Sequence, residues 1–173
     1  MAEQGDSDTT KVLRGVVAGA IAGVVASFAM DRFQAAVTAL ISSDDGDEEQ
    51  QQQSEPATVK AADAIAQQVA GRAVANEDKP LAGQAIHYAL GVGLGIAYGV
   101  AAEFRPSLTA GYGTGFGVAT ATLLDEVAVP VVGLGSAPWR TDLSTNLYSY
   151  ASHLVFGATS ELVRRQVADT LSA

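Results

Sequence analysis

Four side chains stand out against plain surroundings. Asp31, His87, Asp125 and His153 lie within or beside long runs free of Asp, Glu, Lys and Arg, and Glu126 adjoins one of them. An imidazole changes charge near neutral pH, and a carboxylate beside it can take or pass on the proton, so a proton or small-ion path is one reading. Two His and two Asp also form a donor set for a divalent metal ion. Alternatively, His87 and His153 could ligate a haem axially, with Gly91 and Gly157 one helical turn away leaving room for its face. The plainest reading is that each Asp pairs with a His or with Arg32 and fixes helix register.

The elements that position these residues follow from the uncharged runs, 15–30, 82–102, 106–124 and 143–160. Each is close to the roughly 20 residues that a helix needs to cross a bilayer. The first reaches that length if Asp31 and Arg32 sit near its end, ahead of the apolar stretch 33–41. The expected fold is therefore all-α and multi-pass, with transmembrane helices over 12–41, 81–104, 108–132 and 144–167. Pro106 cannot continue a helix, so a short link folds the second helix back on the third. Ser144 is the expected N-cap of the fourth helix, and Trp139 suits a headgroup anchor. After an acidic, glutamine-rich insertion at 42–56, whose composition predicts disorder, Val59, Ala62, Ile65, Ala66, Val69 and Ala73 fall at helical spacing. They predict an amphipathic helix over about 57–75, too polar to span. Residues 1–11 read as a polar tail before a single domain.

Glycines recur every four residues: Gly15, Gly19 and Gly23, then Gly91, Gly95 and Gly99. In the third helix the pairs are Gly111 and Gly115, and Gly113 and Gly117. Such spacing lines one helix face with bare backbone and lets a neighbouring helix approach closely, with Gly157 serving the fourth helix in the same way. The chain also repeats itself faintly. Gly23-Val24 precedes Asp31 by the same interval as Gly117-Val118 precedes Asp125, and His87 and His153 each stand four residues before a glycine. Two hairpins in the same orientation result, each an Asp-bearing helix followed by a His-bearing one. All four side chains then gather at one level, toward the outer face. A second polar layer, Glu103 and Glu161 with Arg105, Arg164 and Arg165, falls at the opposite end and reads as helix-end ion pairing.

Composition excludes several functions. The 173 residues carry a net charge of −9 and no cysteine. Without a basic face the chain is not expected to bind nucleic acid, and thiol catalysis, thiolate metal sites and covalent haem are ruled out. The 111–117 glycine run lacks the preceding strand and the lysine of a phosphate loop, and no serine sits in a GxSxG setting. Adjacent residues Ser152 and His153 point about 100° apart on a helix and form no dyad. No enzymatic activity is expected. Lys11, Arg14, Arg105, Arg164 and Arg165 collect at one end, which favours both termini in the cytoplasm.

From residue 85 to 168 the chain resembles the YagU-like family of bacterial inner-membrane proteins. The resemblance rests on His87-Tyr88, the run Ala97-Tyr98-Gly99-Val100-Ala101-Ala102-Glu103, Pro106, Pro130 with Gly133-Leu134, Pro138-Trp139, and His153-Leu154-Val155 with Glu161 and Arg164-Arg165. It implies a multi-pass protein of the bacterial cytoplasmic membrane and supplies no mechanism. The expected partners are the lipid bilayer and either further copies of the chain or another membrane-protein subunit. Proton or small-ion passage or pH sensing is the leading functional expectation. An accessory subunit, or a haem- or metal-binding protein, is the alternative.

Overall fold

The computed structural model describes residues 7–41 and 55–173, so most of the 42–56 insertion and residues 1–6 lie outside the described residues. All regular structure among the described residues is helical. Helix α1 spans Asp8–Ile41 and begins four residues before the expected start. The cause is Ser7, whose hydroxyl accepts from the Thr10 amide at 3.2 Å and caps the first turn. Helix α2 spans Ala57–Ala70 and stops short of the expected 75 because Gly71 adopts the left-handed conformation that closes a helix C-terminus. Helix α3 spans Lys79–Phe104, with Pro80 in the first turn where its missing N–H costs nothing.

The third expected span is the one that changes most. A 3₁₀ turn, Pro106–Thr109, is followed by an irregular turn in which Gly111, Tyr112 and Gly113 all have positive φ. Helix α4 begins only at Thr114, runs as α-helix to Thr120, widens into a π-helix over Ala121–Ala128, and ends as a short α turn, Val129–Val131. Two local causes lie in the sequence. Thr122 donates its hydroxyl to the Val118 carbonyl at 2.9 Å, competing with the backbone ladder, and Pro130 offers no N–H to the preceding turn. Helix α5 spans Leu143–Ser172, and its N-cap is Asp142 rather than Ser144.

Two helices, α1 and α3, are long and apolar enough to cross a membrane by length and composition. The 114–131 segment is divided by its π-helical part. Helix α5 is uncharged in its first half but not apolar, since Ser144, Thr145, Asn146, Ser149 and Ser152 stand there.

Helix α1 packs on both α3 and α5, α5 also packs on α4, and α2 lies across the start of α3. Two adjacent stripes of α1 explain this. Gly15, Gly19 and Gly23 face α3 so closely that a Cβ added at Gly15 would meet the Val100 Cα at 2.7 Å. Gly95 and Gly99 meet α1 in the same way from the other side. The neighbouring stripe, Ala18, Ala22, Ala26 and Met30, is buried, and its far end packs on Phe156 of α5. Helix α5 repeats the device. Gly157 receives the backbone of Gly113 and Gly117, while Ser152, Phe156 and Ser160 form the adjoining buried stripe. The Phe116 ring of α4 stacks on Tyr98 of α3 at 4.2 Å and tilts against Phe156 at 5.8 Å, drawing the four long elements into one bundle. Two expected packing glycines do otherwise. Gly111 lies in the turn before α4, and Gly115 faces open space.

Candidate functional site

Each Asp stands beside the His of its own hairpin. Asp31, late in α1, places Oδ1 3.3 Å from His87 Nε2, early in α3. Its Oδ2 accepts hydrogen bonds from Gln84 Nε2 at 2.7 Å and from the Tyr88 hydroxyl at 3.1 Å. Asp125, in the π-helical part of α4, places Oδ2 3.6 Å from His153 Nδ1 and accepts a short hydrogen bond from the Ser149 hydroxyl. His153 Nδ1 also lies 3.0 Å from the Ser149 carbonyl of its own helix, which fixes the ring. The repeat read from the sequence therefore has a structural counterpart, an Asp–His pair in each hairpin.

All four side chains line one cavity of about 480 Å³. Its remaining wall is largely apolar, with Met30, Leu90, Leu94, Leu124 and Phe156. The start of α2 covers one side, and Val59 sits against Gly83 of α3. Ser27 also lines the cavity. It is fully buried, and its hydroxyl finds no hydrogen-bond partner among the described residues. Glu126, next to Asp125, is half-buried but does not line the cavity. No three His, Asp or Glu side chains among the described residues lie close enough together to share a metal ion, so the four-ligand metal site, one of the readings the sequence left open, does not form. The pairs share a chamber rather than a coordination sphere.

At the opposite end lies the second polar layer, and it is more deeply buried than helix-end pairing requires. Glu161 is 1 % exposed and accepts from the Tyr98 hydroxyl at 2.8 Å, from Arg164 Nε at 2.8 Å and from a second Arg164 nitrogen at 3.0 Å. Glu103 accepts from Arg14 Nε at 2.9 Å, and Arg164 reaches it at 3.9 Å. Arg165 stands 3.6 Å from Glu161 with its side chain half in solvent. Arg105 is exposed beyond α3 and makes no side-chain ion pair among the described residues. Tyr98 is the member that residue-type reasoning passes over, and Arg14, read from the sequence only as a charge at that end, proves to be part of the network. Arg14 was legible from its place beside Gly15 on the close-packed face, and Tyr98 from its place beside Gly99.

Among the described residues the fold and site are all-helical, with two helices apolar enough to cross a membrane and a chamber lined by two Asp–His pairs. Residues 48–162 match the family described as "Protein of unknown function (DUF1440)", and the chain belongs to that family. Neither a curated protein nor a solved structure matches the chain.

Proposed function

We propose that this is an integral membrane protein whose Asp31–His87 and Asp125–His153 pairs take up and hand on protons or small cations in a shared chamber. The observation that carries the reading is that helices α1, α3, α4 and α5 each contribute one of these side chains to a single cavity. Side chains outside the bundle support a lipid setting. Leu13, Val17, Ile21, Val24, Val25 and Phe28 of α1 face outward, while Gly, Ala and Ser fill the seams. Water would favour the reverse arrangement. Asp31 lies seventeen positions after Arg14 along α1, about 25 Å at 1.5 Å per residue, close to the thickness of a bilayer's hydrocarbon core. The two polar layers would then sit near its two boundaries.

On this reading α4 and α5 also cross, completing four spans in two hairpins. The termini are cytoplasmic, the chain groups with the YagU-like proteins of the bacterial inner membrane, and it works without catalysis. The exposed apolar faces of α1 and α3 suit contact with lipid, further copies or another membrane subunit.

The test is a pH jump across vesicles holding the purified protein, followed with an internal pH dye. Wild type should relax the gradient faster than empty vesicles, and the His87→Ala/His153→Ala protein should lose that acceleration while keeping its helical circular dichroism. Wild type indistinguishable from empty vesicles, together with imidazole NMR signals that do not move between pH 5 and 8, would refute the reading.

A further inference from the structure

The chamber's walls specify more than a proton. We propose that it binds a lipophilic organic cation, a protonated amine or onium group carried on an apolar body; this rests on the reading of the Asp–His chamber above. Three features select that class. First, Asp31 and Asp125 both line the cavity, and no Lys or Arg does among the described residues. Arg32, beside Asp31 in sequence, lies exposed over the Phe28 ring at 5.4 Å instead. The chamber is thus lined by two carboxylates and, among the described residues, no Lys or Arg, an arrangement that repels an anion and attracts a cation. Second, a bare metal ion needs several oxygen or nitrogen donors converging within coordination distance. No group of three His, Asp or Glu does so among the described residues. An organic cation makes no such demand, because one carboxylate can meet its charged group while its apolar body is held by the wall.

Third, the chamber has the dimensions and polarity of a ligand site. Its volume of about 480 Å³ lies in the range of cavities that enclose drug-sized molecules between apolar walls and a few convergent polar groups. Leu90, Leu94 and Phe156 supply wall. Charge and proton chemistry then share one place: a cation entering between the carboxylates competes with the protons held by the Asp–His pairs.

The experiment is calorimetric titration of the detergent-purified full chain with tetraphenylphosphonium, and separately with tetraphenylborate, an anion of the same size and shape. Empty micelles provide the blank. The cation should bind at micromolar concentration and the anion should not. Asp31→Asn and Asp125→Asn should each weaken the cation about tenfold through loss of one charge. Leu94→Trp, which fills the apolar wall and leaves both carboxylates in place, should abolish binding. Equal binding of cation and anion would reduce the chamber to a greasy pocket and overturn the proposal. So would wild type that binds neither, and that measurement needs no variant to fold. Imidazole NMR titration of the same sample separates the two readings. Histidines that titrate in a protein that ignores the cation would sink this inference alone, whereas histidines that do not titrate would remove the proton-exchange reading beneath it.

Discussion

Gly93 and Gly95 lie two residues apart in α3, yet the same substitution at each should move stability in opposite directions. A Cβ at Gly93 meets nothing within 4 Å. A Cβ at Gly95 would sit 2.9 Å from both the Cα and the amide nitrogen of Gly23, and closer still to the Gly19 carbonyl. These are backbone atoms, so no rotamer change relieves them and α1 must move bodily by several tenths of an ångström or more. That shift also opens the flanking contacts at Gly15–Gly99 and Gly23–Gly91. Overpacking of this kind costs about 1–3 kcal/mol. Alanine regains up to about 1 kcal/mol of helix propensity at either site. Gly93→Ala should therefore be neutral or stabilising. Gly95→Ala should fall below Gly93→Ala by the packing cost alone, since the propensity gain is common to both. About 1–3 kcal/mol is a roughly 5- to 150-fold change in the unfolding equilibrium. The assay is reversible unfolding in mixed micelles by SDS titration, read by circular dichroism, with both variants in parallel. If Gly95→Ala proved as stable as Gly93→Ala, the close-packed α1–α3 seam would not exist as described.

Further expectations follow from individual contacts. Glu161→Ala should destabilise the bundle by about 3–5 kcal/mol, because it leaves Arg164 and the Tyr98 hydroxyl buried without their main partner; replacing Glu161 and Arg164 together by Leu and Met should restore most of that in the same SDS titration. The α2–α3 connection should be acid-sensitive. The Val74 amide, donated at 2.9 Å, with Lys79 close by, holds the Asp63 carboxyl below its ordinary range. A lowered folded value means stability that is present above the unfolded carboxylate value near 4 and lost as pH falls through the folded one. Hydrogen exchange at Val74 should accordingly lose protection only below about pH 4, and Asp63→Ala, which removes the acceptor, should lose it at every pH. Gly83→Val would drive a side chain into Val59, 2.6 Å from the first added carbon. It should loosen α2 from α3, seen as faster proteolysis near Gly71, while leaving the unfolding of the bundle nearly unchanged.

The sequence disclosed the gathering of charged groups better than the number of spans. Opposed helix directions and matching positions along the chain were enough to place Asp31, His87, Asp125 and His153 at one level, but not to say which His each Asp would face. The glycine period likewise located the α1–α3 seam, because bare backbone every four residues has few other uses. The span count was weaker because absence of charge was taken for apolarity. Ser149, Ser152 and Asn146 carry no charge, but they give α5 a polar character that α1 lacks. The interruption of α4 was legible only as the kink that Pro130 implies, not as the π-helical turn over Ala121–Ala128 that precedes it. The depth of the Glu161 network was missed for a related reason. Its closure depends on Tyr98, a residue without charge at neutral pH, arriving from another helix.

The order in which α1 acquires its neighbours bears on how the chain is made. Helix α1 is synthesised before its neighbours: its glycine stripe is covered by α3, and the far end of its alanine stripe by Phe156 of α5 together with Leu94 and Phe116. On the membrane reading proposed above, α1 must persist with its seams open until these helices appear, which a bilayer permits because backbone hydrogen bonds are satisfied within the helix itself. The same exposure offers other nascent or mature membrane helices a place to dock before α5 arrives. A chain cut short before Phe156 would leave that invitation standing, so loss of the C-terminal helix should yield mispaired, quickly degraded protein rather than a smaller working bundle. Pulse-chase comparison of the full chain with one ending at residue 142 would show it.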